Sequence, residues 1–194
     1  MSLKFGSVCS GIEAASQAWE SLGWQAIWLS EIDTFPSALL AHHYPKTPNL
    51  GDMGQIPNLW RVGKIEAPDV LVGGTPCQSF SVAGLRKGIA DARGALTLCF
   101  IEIANEIDTI RAGCGQQPSI IVWENVPGVL SDKGNAFGCF LAGLAGSDCE
   151  LKPTGRRGKW TNAGVVFGPQ RTVAWRILDA QYWGLAQRRK RVFV

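Results

Sequence analysis

Apolar positions along this chain come in short runs separated by turn residues, and the runs alternate between two periods. Residues 3–8, 25–29, 69–72 and 120–123 read as strands, and 173–178 and 191–194 as a final pair. Between them, residues 12–22 carry apolar side chains at helical spacing (Ala15, Ala18, Trp19, Leu22) until Gly23 stops the pattern. Residues 35–43, 95–111 and 137–144 read as further helices. Strands that alternate with helices build βαβ units, so the expected class is α/β, with a mostly parallel sheet covered by helices on both faces. Neither a repeat nor a low-complexity linker divides the chain, and 194 residues suit one domain spanning residues 1–194.

Composition narrows the function. With 46% hydrophobic and 18% charged residues the chain is an ordinary globular sequence. Its apolar runs fall short of the roughly 18 residues a membrane span needs, and its start does not read as a signal peptide. A cytoplasmic protein that does not enter membranes is expected. The cysteines at positions 9, 77, 99, 114, 139 and 149 are scattered without a Cys-x-x-Cys pair. That argues for free thiols in a reducing compartment, and against a metal site. The net charge of +3 hides an asymmetry. Residues 1–150 hold 9 Lys+Arg against 15 Asp+Glu, a balance of −6, whereas 151–194 hold 10 against 1, a balance of +9. A basic final quarter points to a polyanionic partner met on one face.

The richest stretch is Gly-Gly-Thr-Pro-Cys-Gln-Ser-Phe (73–80). It places Cys77 just past a buried-strand run, where open α/β sheets bind ligands. Pro76 stiffens the turn, and Gly73-Gly74 permit close approach of another group. A positioned nucleophile and a small buried thiol both satisfy this pattern. Three earlier strand ends offer parts of a nucleoside site. Phe5-Gly6-Ser7-Val8-Cys9-Ser10-Gly11 is a small-residue turn that opens a helix, suited to an anionic group. Glu31 follows the second strand, where an acid commonly accepts from ribose hydroxyls. Gly51-Asp52-Met53 offers a carboxylate for an amino group beside an apolar contact. Each acid could equally be a helix cap; it is their order along a βαβαβ pattern that carries weight.

The second half adds a reactive set. Glu124 leaves the strand 120–123 into the rigid turn Asn125-Val126-Pro127-Gly128. In Gln187-Arg188-Arg189-Lys190-Arg191, extended backbone would turn Arg189 and Arg191 to one face.

Taken in order, these segments resemble the cytosine-5 DNA methyltransferase family of bacterial or phage type. The matching pieces are Phe-Gly-Ser-x-Cys-Ser-Gly-Ile-Glu (5–13), Ser-Glu-Ile-Asp (30–33), Gly-Asp-Met (51–53), Gly-Gly-Thr-Pro-Cys-Gln-Ser-Phe-Ser (73–81), Glu-Asn-Val (124–126) and Gln-Arg-Arg-Lys-Arg-Val (187–192). The resemblance implies a Rossmann-like, S-adenosyl-L-methionine-dependent methyltransferase fold. It implies that the cofactor is held by Phe5, Cys9, Ser10 and Gly11 from the first motif. Glu31, Ile32, Asp52, Met53 and Pro76 would complete that site. It also implies Cys77 as nucleophile on a flipped cytosine in double-stranded DNA and Glu124 at N3 and the exocyclic amine, with Arg189 and Arg191 around the base. The glycine-punctuated segment 79–93 would be the loop that closes on DNA.

The family's target-recognition domain and final cofactor-pocket helix have no counterpart here, and residues 151–176 are an insertion relative to small members. The expectation is therefore a catalytic-domain fragment whose cofactor pocket is completed by a second chain or a neighbouring copy. A tRNA cytosine-5 methyltransferase of the same fold is the alternative substrate reading. A non-catalytic subunit that binds nucleic acid or cofactor is the alternative class.

Overall fold

The computed structural model describes residues 2–76, 92–155 and 158–194. Seven strands lie in the sheet order β2-β1-β3-β4-β7-β6-β5. They are β1 (Lys4–Val8), β2 (Gln25–Ser30), β3 (Val70–Gly73), β4 (Ile120–Asn125), β5 (Ala163–Phe167), β6 (Thr172–Asp179) and β7 (Lys190–Phe193). The helices are α1 (Ala14–Trp19), α2 (Thr34–His43), α3 (Ile56–Arg61), α4 (Ala92–Gly113) and α5 (Ala136–Ala145). The expected α/β architecture is present. β1 runs parallel to β2 and β3, each reached through helical crossovers. β5 with β6, β6 with β7, and β7 with β4 are antiparallel; β5, β6 and β7 follow one another without an α-helix between them, so they can pair as neighbours in a meander.

The chain divides into two compact units, Met1–Gly74 with Glu102–Val122 and Thr75–Ile101 with Trp123–Val194. In the first, Phe5, Val8, Leu29, Val70 and Leu71 are buried along the parallel strands. Gly6 pairs with Trp28 on β2, and the Trp28 ring occupies the space where a Cβ at position 6 would stand, 2.1 Å from the nearest ring carbon. Glycine is needed there for that close approach. The Trp28 indole N–H reaches the Glu66 carbonyl at 3.1 Å. On α4, Phe100, Ile103, Ala104, Ile107 and Arg111 are buried, the three-and-four spacing of one helix face. The stripe ends in an ion pair between Arg111 and Asp69 at 2.9 Å, and Arg111 also donates to the Pro68 and Gln117 carbonyls.

The second unit is built on aromatic rings. Trp123 lies 4.2 Å from Phe140 between ring centroids, and Phe137, Trp160 and Trp175 meet one another edge to face at 5.4–5.8 Å. Edge-to-face pairs set the positive rim of one ring against the negative face of another. Trp160 also donates its indole N–H to Asn135, whose amide donates to the Leu151 carbonyl. The inserted segment 151–176 is thus a packed structural element: it supplies β5 and turns into β6, and the Trp175 ring covers Gly164.

Helix α3 and strand β5 lie outside the elements the pattern predicts, and one expected helix starts late. Helix α3 is short and begins Ile-Pro, a proline tolerated in the first turn where its missing N–H is no loss. The helix expected over 12–22 begins later, at Ala14, because Glu13 takes a left-handed conformation (φ 65°) and caps it, its carboxylate accepting from the Ser16 N–H.

Trp160→Ala should cost about 3–5 kcal/mol of unfolding free energy in urea denaturation, the range for deleting a buried aromatic. A loss under about 1 kcal/mol would mean that segment 151–176 is not anchored through this ring.

Candidate functional site

In the first unit the ends of β1 and β2 form a strapped turn system. The chain leaves β1 through Cys9 (φ 49°), Ser10 and Gly11 (φ 55°). Ser10 stitches the two strand ends together: its N–H donates to the Ser30 carbonyl at 3.2 Å, and its hydroxyl accepts from the Ser30 N–H at 3.1 Å. Glu31 follows β2 directly. Its Oε2 accepts from the Gly11 N–H at 2.8 Å, and its Oε1 accepts from the N–H groups of Ile32 and Asp33 at 2.8 and 2.9 Å. The acid therefore has a structural occupation as well, orienting the turn after β1. An acceptor position on Oε2, which takes only one of these bonds, remains for a hydroxyl donor.

Asn49 is a hub that pattern reading missed. Its side-chain oxygen accepts from the N–H groups of Glu31 and Gly51, and its amide donates to the Glu31 carbonyl and the Ser37 hydroxyl. Together with a parallel bridge between Leu29 and Asn49, this lays residues 49–52 alongside the end of β2. Asp52 is exposed and caps the single 3-10 turn that follows, Oδ1 accepting from the Gly54 N–H. Met53 is buried, its sulfur 3.9 Å from Cys9 Sγ.

Space and apolar surface surround these groups. A Cβ built at Gly11 or Gly51 would meet nothing within 4 Å. Ile32, 71% exposed, stands beside Glu31 as an apolar side chain open to solvent. Phe5 is fully buried, edge-on to Trp19 at 5.0 Å, so it supports the turn from beneath. Glu13, only 1% exposed, is a second residue that pattern reading missed as a buried acid. Desolvation pushes its carboxyl pKa up against the opposing hydrogen bonds from Ser7, Ser16 and Ser10. Because β1, β2 and β3 are parallel, Cys9, Glu31 and Gly74 leave the same edge of this unit's sheet.

In the second unit one buried residue joins two motifs. Thr75 follows Gly73-Gly74 and precedes Pro76-Cys77. Its hydroxyl accepts from the Trp123 indole N–H at 3.0 Å and contacts the Thr97 hydroxyl at 3.1 Å. Its carbonyl accepts from the Asn125 amide at 2.8 Å, and Asn125 Oδ1 accepts from the Val126 N–H. The residues on either side of Glu124 therefore hold the residue two before Cys77. Cys77 itself, and the expected closing loop as far as residue 91, lie outside the described residues; so do Arg156 and Arg157.

Glu124 is half-exposed at the end of β4, and its Oε1 accepts from Arg191 Nε at 2.7 Å. Arg191 is on β7, paired beside β4, so the sheet register brings this cation to the acid. Arg189 precedes β7 and is exposed. Its backbone is fixed by Asp179, a buried acid with no motif signal, which accepts from the Arg189 N–H at 3.1 Å. Arg191 is thus placed against Glu124, while Arg189 is held only through its main chain.

Comparison with known proteins follows from this geometry. A family described as C-5 cytosine-specific DNA methylase matches residues 3–194. A protein of Escherichia phage P1 called DNA N-6-adenine-methyltransferase is 57% identical over 211 residues, covering 99% of this chain and 28% of its own length. The Type II methyltransferase M.AquIA of Picosynechococcus is 29% identical over 201 residues, covering 100% of this chain and 71% of its own. Among solved structures, a prophage-encoded E. coli protein described as a DNA modification methyltransferase superposes with a TM-score of 0.63 at 18% identity, over 99% of this chain and 45% of that one. The chain thus spans between about a quarter and three-quarters of the lengths of these relatives.

Burial, and secondarily the Glu31 charge, push the Cys9 thiol up to about 11; burial likewise raises Cys139 to about 11. Both stay protonated at neutral pH, and thiolate is the reactive form. Between pH 7 and 9, iodoacetamide labelling read by peptide mass spectrometry should modify exposed Cys114 and Cys149 well before Cys9. Labelling of Cys9 at the same rate would remove the argument against it as a nucleophile.

Proposed function

The chain belongs to the C-5 cytosine-specific DNA methylase family, and from that premise we propose that it carries the catalytic half-reactions of cytosine C5 methylation on double-stranded DNA. The observation that most supports this reading is the Thr75 anchor. Trp123 and Asn125, which flank Glu124 on its strand, both bond to Thr75, two residues before Cys77 in the sequence.

Cytosine C5 is too weak a nucleophile to take a methyl group unaided. Attack of the Cys77 thiolate on C6 forms a C–S bond and moves electron density to C5, making that carbon nucleophilic. Glu124 would hold the base at N3 and its exocyclic amine, stabilising the charge that develops there. Arg191, bonded to Glu124 Oε1, keeps that carboxyl group aimed. The base must leave the helix to be reached, and the basic segment 188–191 offers charge to the flanking phosphates. After transfer, loss of the C5 proton and of the thiolate restores the aromatic ring.

S-adenosyl-L-methionine fits the first unit. The open space over Gly11 and Gly51 leaves room for it. Glu31 would take the ribose hydroxyls, Asp52 the adenine amino group, and Ile32 one face of the ring. Cys9 and Ser10 shape the turn. When bound, the cofactor supplies an electrophilic sulfonium methyl. A cytoplasmic setting accords with reduced thiols and a DNA substrate; among the described residues no helix is long and apolar enough to cross a membrane.

The name of the phage P1 relative raises adenine N6 as a target. An exocyclic amine can attack a sulfonium methyl without covalent help, so it has no use for a thiol placed on a ring carbon. The presence in the sequence of both Pro76-Cys77 and Glu124-Asn125-Val126 favours carbon methylation of cytosine.

The test is nucleoside mass spectrometry of duplex DNA after incubation with S-adenosylmethionine and the protein in its longest reading frame. We expect 5-methylcytosine, lost in Cys77→Ala and strongly reduced in Glu124→Gln, with cofactor binding retained in both. DNA containing 5-fluorocytosine should trap a covalent complex through Cys77. N6-methyladenine as product, or methylation of tRNA with none of DNA, would reject the proposal.

A further inference from the structure

The outer edge of β5 takes no part in the site described above. β5 is the last strand in the sheet, and among the described residues its outer side carries no backbone ladder. Its residues, Ala163-Gly164-Val165-Val166-Phe167, include neither charge nor proline, and Trp160 through Gln170 is free of charge altogether. Natural edge strands are usually guarded by lysine, proline or a bulge against pairing with another chain. This one is unguarded, with Val165 49% and Phe167 80% exposed.

The hydrogen-bond phase shows which groups are on offer. The Ile177 N–H donates to the Asn162 carbonyl and the Gly168 N–H to the Arg171 carbonyl. Narrow pairs recur at every second residue of an antiparallel ladder, so residues 162, 164, 166 and 168 bond toward β6. The N–H and C=O groups of Ala163, Val165 and Phe167 therefore point outward. One outward carbonyl, that of Ala163, also accepts from the Thr161 hydroxyl, which leaves it a second lone pair.

We propose that a second copy of this chain occupies that edge, β5 pairing antiparallel with its counterpart about a two-fold axis through Val165. Several properties of the strand select a copy of itself. In this register Ala163 faces Phe167 of the other chain, Val165 faces Val165, and every outward group enters a narrow pair. Volumes complement on both faces, alanine opposite phenylalanine and glycine opposite valine. Like-charge repulsion is absent because the strand is neutral. An isologous contact of this kind closes at two and consumes both β5 edges.

Sedimentation of the 194-residue protein from low to several hundred micromolar should show a monomer converting to twice the monomer mass. Val165→Pro removes an N–H that the chain does not use internally, and proline is accepted on strand edges. Val165→Lys sets two like charges opposite each other. Both variants should remain monomeric with unchanged far-UV circular dichroism. Register is read by oxidation: Cα atoms of a narrow pair lie about 5.5 Å apart, within disulfide reach. Val165→Cys should therefore give a cross-linked dimer above the wild-type background. Ala163→Cys should not, since its own copy lies four strand residues away, about 14 Å. A wild type that stays monomeric throughout, a dimer that survives both Val165→Pro and Val165→Lys, or equal cross-linking from positions 163 and 165 would overturn the proposal.

Discussion

Thr75 is the residue on which the buried hydrogen bonding around Glu124 depends. A buried hydroxyl and a buried carbonyl must both find partners, since an unmet buried polar group costs about 1–3 kcal/mol. Here the partners are the Trp123 indole and the Asn125 amide, on either side of Glu124. The same two bonds satisfy the polar groups of the core and fix the position from which the chain enters Pro76. Trp123 then carries the constraint inward to Phe140, and through the aromatic group to Trp160 and Trp175. The insertion 151–176 buttresses the strand that presents the acid.

The first unit solves a similar problem with main-chain groups. Its candidate cofactor turn takes positive φ at Cys9, Gly11 and Glu13, conformations that expose N–H groups to be satisfied. Glu31 satisfies the one at Gly11 and, after β2, those of Ile32 and Asp33, and Asn49 holds Glu31 from behind. A carboxylate held by three main-chain N–H groups has its orientation fixed by the fold itself. Glu13 is the counterpart beneath, a carboxyl kept from water at the start of α1. Its raised pKa carries a sign for stability: this contribution is fully present below the unfolded carboxyl value and is lost as pH rises through the folded one.

Much was written in the sequence because the signals are local. Strand runs, the helix face of α4 and the punctuation by Gly and Pro predicted β1–β4, β6 and β7 within a few residues, and the ordered motifs named the family now matched over residues 3–194. Hydrophobic period and turn chemistry act over neighbours, so one chain read alone carries them. Of the acids singled out, Glu124 directly follows the apolar run 120–123 and Glu31 lies one residue beyond the run 25–29, positions that a single chain shows by itself.

Tertiary structure decided the rest, wherever the determining partner is distant in sequence. Nothing near Asn49 marks it as the support of Glu31, 18 residues away, and nothing near Thr75 marks its bonds to residues 48 and 50 positions on. Pairing of Arg191, and not Arg189, with Glu124 was fixed by the β4–β7 register; alternation alone put both on one face. β5 went unread because its glycine lowers strand propensity, and only the Trp175 ring that covers Gly164 makes the strand worth forming. A sequence specifies its local conformations through adjacent residues, whereas hydrogen-bond partners and strand edges are fixed only when distant segments compete for the same buried space.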